Sequence, residues 1–207
     1  TVLSRGLGDV YKRQSIIKEH HHVRSKSGLF DVSHMGEFIV SGNNAKTFLQ
    51  NVTTNDIQKL EAGKVQYSAF CNDSGGVIDD LLVYHLGDHY MLVVNASNIE
   101  KNFEWLSSKL IDDVSLEDKS DSISLLALQG PLSRTHLKKL YPKIEDLKYY
   151  ETLLPDNNEV IVARTGYSGE LGFEIYAPNS IILKLWNEIL SLSDDILPVG
   201  LGCRETH

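Results

Sequence analysis

The chain has 207 residues, of which 42% are apolar and 23% charged, and carries a formal net charge of −8. That length can bury a core in one large domain or two smaller ones, and the composition is that of a soluble globular protein. An acidic chain with no cluster of Lys or Arg argues against nucleic-acid binding. Cys71 and Cys203 lack the spacing of a zinc site or a disulfide framework, and no apolar run approaches the roughly 20 residues that span a bilayer.

Residues 1–14, TVLSRGLGDVYKRQ, show no amphipathic period and resemble translated adaptor sequence, so they are set aside as a non-native segment. SIIKEHHHVRSKSG then reads as a helix closed by Gly28, and LFDVSHMGEFIVSG as strand-like segments with a polar interruption. In NNAKTFLQNV, Ala45, Phe48, Leu49 and Val52 fall at helical spacing on one face. VQYSAFCN, GGVIDDLLVYHL and HYMLVVNA predict three strands of an antiparallel meander, joined by compact DSGG and GDH turns. NASNIEKNFEWL predicts a helix with a Ser97/Glu100 capping box and a buried stripe of Ile99, Phe103 and Leu106.

A domain boundary is expected near residue 120, inside the charged IDDVSLEDKSDS, dividing a first α+β domain at 15–120 from a second segment at 121–207. Beyond it, ISLLALQGP predicts a strand ending at Gly130, and Pro131 suits the first turn of the helix PLSRTHLKKLY. EVIVARTGYSGELGFEIYAP predicts a hairpin with a Gly-rich connection, and SIILKLWNEIL a helix. A new helix should begin in PVGLGCRETH, and stopping there suggests a fragment. Strands and helices mix without strict βαβ alternation. The fold class is therefore α+β, with largely antiparallel sheets and packed helices.

The chemistry centres on Asp79 and Asp80 in SGGVIDDLLVY. Side chains alternate along a strand, so Asp80 shares a face with Leu82 and Tyr84 while Asp79 shares the other with Leu81 and Val83. One acid faces inward, where an unpaired carboxylate costs several kcal/mol, roughly. The ordinary alternative is that the pair caps a turn or solvates an edge strand.

Six stretches in order, LFDVSHMGEF, GGVIDDLLVY, VVNASNIEKNFEW, LLALQGP, RTGYSGELGFEI and GLGCRE, together resemble the aminomethyltransferase family, the T-protein of glycine cleavage. The resemblance runs from about Ser15 to Glu205. It implies the family's folate-binding fold with the C-terminal domain missing. The activity it implies is transfer of a one-carbon unit from the aminomethyl group on the lipoyl arm of H-protein to tetrahydrofolate, with release of ammonia. It further implies a cytoplasmic location in a bacterium, or the mitochondrial matrix in a eukaryote, and neither nucleic-acid nor membrane partners. The second acid of its G-G-x-x-D-D motif is catalytic, which falls on Asp80 and leaves Asp79 as the outward neighbour. Tyr67 and Tyr84 match residues lining the folate pocket, Asn95 a ligand contact, Glu174 an acid binding pterin N–H groups, and Tyr167 and Arg204 further site positions, Arg204 as a cation for a folate carboxylate or for positioning Asp80.

Plain alternatives stand beside these. Strand tyrosines are commonly core residues, and Asn95 suits a turn or a cap. The run His20, His21, His22 cannot converge on one metal from adjacent helical positions and reads as a solvated face; no metal site is expected. His34 reads as a fold-shaping residue and Cys71 as a packed thiol. RTGYSGELG lacks the order of a phosphate loop. Two rival functions share the family's fold: a non-catalytic folate binder linked to iron–sulfur cluster maintenance, which would not need Asp80, and the folate module of a dimethylglycine- or sarcosine-oxidising flavoenzyme.

Overall fold

A computed structural model describes residues 16–155 and 159–207; the stretch at 1–14 lies outside the described residues. The described residues divide into two compact units, one formed by residues 34–122 and the other by residues 16–33 together with those from Ile123 to His207.

In the unit of residues 34–122, β2 (Gly36–Ser41), β3 (Val65–Cys71), β4 (Val77–His85), β5 (Tyr90–Val94) and β6 (Ser115–Asp118) form one sheet in the order β3-β4-β5-β2-β6. Every pairing in it is antiparallel, and β3-β4-β5 is the expected meander. Two helices, α2 (Ala45–Val52) and α3 (Ile99–Ser108), supply apolar faces to its core. The buried face of α2 is Ala45, Phe48, Leu49 and Val52, as the helical spacing predicts. They meet Phe38, Val40, Leu81, Val83 and Leu92 from the sheet and Leu106 from α3. Each large apolar side chain so buried contributes about 1.5–3 kcal/mol.

The capping box does not form. Residues Ala96–Asn98 make a short 3-10 turn, Asn98 becomes the N-cap of α3, and it makes no side-chain cap bond. β6 was not anticipated either. Its charged SLED sequence runs on the sheet edge, where only one neighbour is needed and polar side chains suit an exposed strand.

The other unit holds a six-stranded sheet in the order β11-β1-β7-β10-β9-β8, formed by β1 (Ser27–Asp31), β7 (Ile123–Gln129), β8 (Thr152–Leu153), β9 (Ile161–Ala163), β10 (Gly172–Pro178) and β11 (Ile196–Val199). β1 lies parallel to β11, with Ser27 opposite Ile196, and antiparallel to β7; the remaining pairings are antiparallel. Helix α1 (Ile16–Ser25) precedes β1, α4 (Ser133–Leu137) follows β7, α5 (Asn179–Ser191) follows β10, and α6 (Leu201–Arg204) follows β11. The core is built from Leu29, Leu126, Leu128, Phe173, Ile175, Trp186 and Ile189.

Two boundaries differ from the sequence expectation. Helix α1 stops at Ser25 and Gly28 lies inside β1, because β1 is drawn between β7 and β11 and its backbone groups pair there. For the same reason residues 16–33 join the second unit, although the sequence places residues 15–33 with the first. The unit of residues 34–122 ends at Ser122.

Candidate active site

Along β4 the pleat separates the two acids, but in the sense opposite to expectation. Asp79, Leu81 and Val83 are buried together on the face that α2 and α3 cover, with Asp79 only 8% exposed. Asp80 is half-buried on the other face. A β-bulge between Phe70 and Cys71 sits directly opposite, so Phe70 pairs with Asp79 and Cys71 with Val77. Bulges of this kind re-aim neighbouring side chains and are common beside active sites. The expectation that Asp79 points outward is thus corrected. The helix-covered core takes Leu81 and Val83, and Asp79 is carried in with them.

A buried carboxylate needs donors, and the chain supplies amides. Asn102 donates from Nδ2 to Asp79 Oδ2 at 2.6 Å, and Asn95 from Nδ2 to Asp79 Oδ1 at 2.9 Å. Asn95 Nδ2 also reaches Asp80 Oδ1 at 2.6 Å, so one amide bridges both acids. Tyr67 closes the set, its phenol donating to Asp80 Oδ2 at 2.6 Å. Tyr67 pairs with Leu82 in the sheet register and reaches Asp80 diagonally. Its ring stays 53% exposed while its hydroxyl is engaged.

Tyr67, Asp80 and Asn95, three of the residues singled out from sequence, therefore meet in one hydrogen-bonded group. Tyr84 shares the Asp80 face of β4 and is fully buried. Asn95 heads the 3-10 turn yet makes no side-chain cap bond; its amide serves the acids instead.

The second unit holds the remaining expected residues. Glu174, on β10, accepts from the Thr165 hydroxyl at 2.6 Å and from the Tyr176 phenol at 3.2 Å. Arg204, in α6, lies over the ring of Tyr167 with its guanidinium carbon 5.1 Å from the centroid, and Tyr167 is 74% exposed. Such stacking holds a planar cation in place. The Gly-rich loop between β9 and β10 is tied down by buried Gln129, which accepts from Ser168 at 2.8 Å, and by Arg24, which pairs with Glu170 at 2.9 Å.

Two residues of this architecture were missed in the sequence, Asn102 and Gln129. Asn102 had a signal: it falls with Ile99, Phe103 and Leu106 on the inner stripe of α3, and a polar residue at such a position requires a partner.

Among the described residues, no group of three or more His, Cys, Asp or Glu is arranged to hold a metal ion. His22 is directed to the Asp195 carbonyl at 2.9 Å, and His20 stacks on His207 with centroids 4.2 Å apart. Burial, with the Glu19 carboxylate adding to it, pushes the Cys203 thiol up to about 11, which keeps it neutral. No helix among the described residues is long and apolar enough to cross a membrane.

The family profile described as "GCVT N-terminal domain" matches residues 8–207. The chain is 48% identical over 199 residues to an aminomethyltransferase of Geobacillus sp. (strain WCH70), covering 93% of this chain and 55% of that protein. It is 50% identical over 198 residues to one of Chloroherpeton thalassium, covering 92% and 55%. It thus spans about half the length of the curated relatives it matches. Among solved structures, the glycine cleavage system aminomethyltransferase T from Bartonella henselae superposes with a TM-score of 0.87 at 32% identity, over 93% of this chain and 53% of that one. The heterotetrameric sarcosine oxidase from Corynebacterium sp. U-96 superposes with a TM-score of 0.59 at 17% identity, over 87% of this chain and 94% of that one, a likeness of fold.

Proposed function

The chain belongs to the family of the GCVT N-terminal domain, and we propose that it serves the aminomethyl transfer of glycine cleavage. A one-carbon unit passes from the aminomethyl group on the lipoyl arm of H-protein to tetrahydrofolate, its bonds to nitrogen and sulfur breaking to release ammonia and leave the lipoyl arm as a free thiol. The observation that carries this reading is the Asp80 carboxylate, half-buried and held at both oxygens, by Tyr67 on one and Asn95 on the other.

Tetrahydrofolate supplies, when bound, the amine nitrogen that accepts the carbon. The donor set fits such a ligand. A carboxylate with two oxygens offers about four acceptor directions, of which these two bonds use two, leaving Asp80 able to accept from a pterin N–H or a substrate ammonium. Because its plane is fixed before the ligand arrives, its charge stands ready where positive charge develops as the C–N bond to the departing amine breaks. The exposed Tyr67 ring offers a flat surface to an aromatic ligand.

Glu174 is proposed, separately, as an acceptor for amino and ring N–H groups, with the Thr165 and Tyr176 hydroxyls setting its orientation. Tyr167 and Arg204 are assigned to ligand binding on the family resemblance, their stacked pair being suited to hold a guanidinium toward a carboxylate. Asp80 disfavours the rival of a folate binder without transferase chemistry.

Asp80→Asn in the full-length protein tests the reading. It keeps the shape but removes the charge, so turnover in an H-protein-coupled assay should fall by about 10²-fold or more while tetrahydrofolate affinity stays within about tenfold. Near-normal turnover would remove Asp80 from the mechanism.

A further inference from the structure

We propose that Asp79 and Asn102 are positioning residues for Asp80, acting through the amide of Asn95. This rests on the functional reading of Asp80 given above and extends it to two residues that lie behind it.

Asn95 has one side-chain nitrogen with two hydrogens, and the structure directs them to two different carboxylates, Asp79 Oδ1 at 2.9 Å and Asp80 Oδ1 at 2.6 Å. Its third contact, to the Asp80 carbonyl at 3.4 Å, is long. The orientation of the amide follows from charge. Turned over, its oxygen would face two carboxylate oxygens, so the nitrogen end stays toward the acids and the oxygen points away from them.

Asp80 alone would not secure that arrangement. It is half-buried on the face of β4 away from α2 and α3, and an amide facing a single carboxylate can swing about its side-chain torsions. Asp79 supplies the second anchor, buried on the opposite face and itself held by Asn102 at 2.6 Å. Asn102 is fully buried in α3, one helical turn before Leu106 of the same core. Three elements therefore share the load: α3 fixes Asp79, Asp79 fixes the Asn95 amide at the end of β5, and that amide together with Tyr67 fixes the plane of Asp80. Without the Asn95 bond, Asp80 keeps only the Tyr67 contact on Oδ2 and can rotate about it.

A purely structural pair would leave a different signature. Replacing both Asp79 and Asn102 by leucine removes a hydrogen-bonded pair from an apolar setting, together with the buried Asn102 Oδ1 that has no partner, an exchange that can be nearly neutral for stability. In the full-length protein, Asn102→Leu alone should lower the melting temperature and cut turnover about tenfold. The double variant Asp79→Leu, Asn102→Leu should regain most of the melting temperature, yet keep turnover about tenfold or more down with folate KM within about threefold of the parent. Turnover recovering along with stability would overturn the proposal. Should Asn102→Leu fail to fold, Asn102→Ser makes the same comparison in a milder form.

A second readout needs no assay. The Asn95 side-chain NH2 protons, each on its own carboxylate, should give two well-separated NMR resonances in the parent that draw together in the double variant. Unchanged Asn95 resonances would also overturn it. Full turnover in the Asp80→Asn control would instead sink the functional reading, leaving the resonances to judge the geometry on their own.

Discussion

Each of the two sheets holds a carboxylate expected at the site, Asp80 in one and Glu174 in the other, by side-chain donors, but they are assembled over different stretches of chain. In the five-stranded sheet, Asp80 on β4 and its two donors come from one continuous segment, Tyr67 on β3 and Asn95 just after β5, and Asn102, which holds the neighbouring Asp79, follows in α3. In the six-stranded sheet, Glu174 and its donors are also local, but the sheet that carries them closes only when β1 slots between β7 and β11, placing Ser27 opposite Ile196. Local pairing can be read from turns and alternation. Long-range insertion cannot, since no pattern inside β1 names its neighbours.

The comparison can be broken at two glycines. Gly130 follows β7 where the long-range unit closes, with a φ of +130°. A Cβ there would run into the Lys26 carbonyl oxygen and come within 2.7 Å of the Val23 carbonyl, both backbone atoms that cannot step aside. Gly130→Ala should therefore destabilise its unit by about 3 kcal/mol or more, combining positive-φ strain with steric overlap. Gly75 lies in the β3–β4 turn with a φ of +82° and nothing within 4 Å of a built Cβ. Gly75→Ala should cost only the backbone term, about 1 kcal/mol. Urea unfolding of both variants checks the order; equal losses would mean that the junction at Gly130 is no tighter than an open turn.

The legibility of the site follows the same division. The meander, the apolar face of α2 and the grouping of Tyr67, Asp80 and Asn95 follow from period-2 and period-3.6 patterns and from the family resemblance. Which acid faces the helix-covered core does not. Leu81 and Val83 lie on one face of β4 and Tyr84 on the other, and all three are buried, so alternation separates Asp79 from Asp80 without saying which side the helices take. The capping box failed for a physical reason as well: a 3-10 turn takes up Ser97, shifting the cap to Asn98. Gly28 looked like a helix stop because a glycine after a polar run commonly is one. Here it lies flat in a strand whose partners come from distant parts of the sequence.

The smallest effect sharpens the comparison at the seam of the six-stranded unit. His136, in α4, is 5% exposed and meets Ser27 of β1, Nδ1 to Oγ at 3.1 Å. Burial, with Lys139 adding to it and Asp195 opposing, holds its imidazole below the ordinary value of 6.5. The sign follows from linkage. The unfolded chain takes up the proton first as pH falls through 6.5, so the stability tied to neutral His136 is present above that value and is lost progressively until pH passes below the folded value. Lowering pH from about 7.5 to about 5.5 should thus move the urea midpoint down more in the parent than in His136→Gln, which cannot charge. The histidine's own NMR titration should show a midpoint under 6.5. Equal midpoint shifts in parent and variant, or a titration at or above 6.5, would mean that the contact between α4 and β1 leaves the imidazole open to water, and that the seam is looser than its hydrogen bond implies.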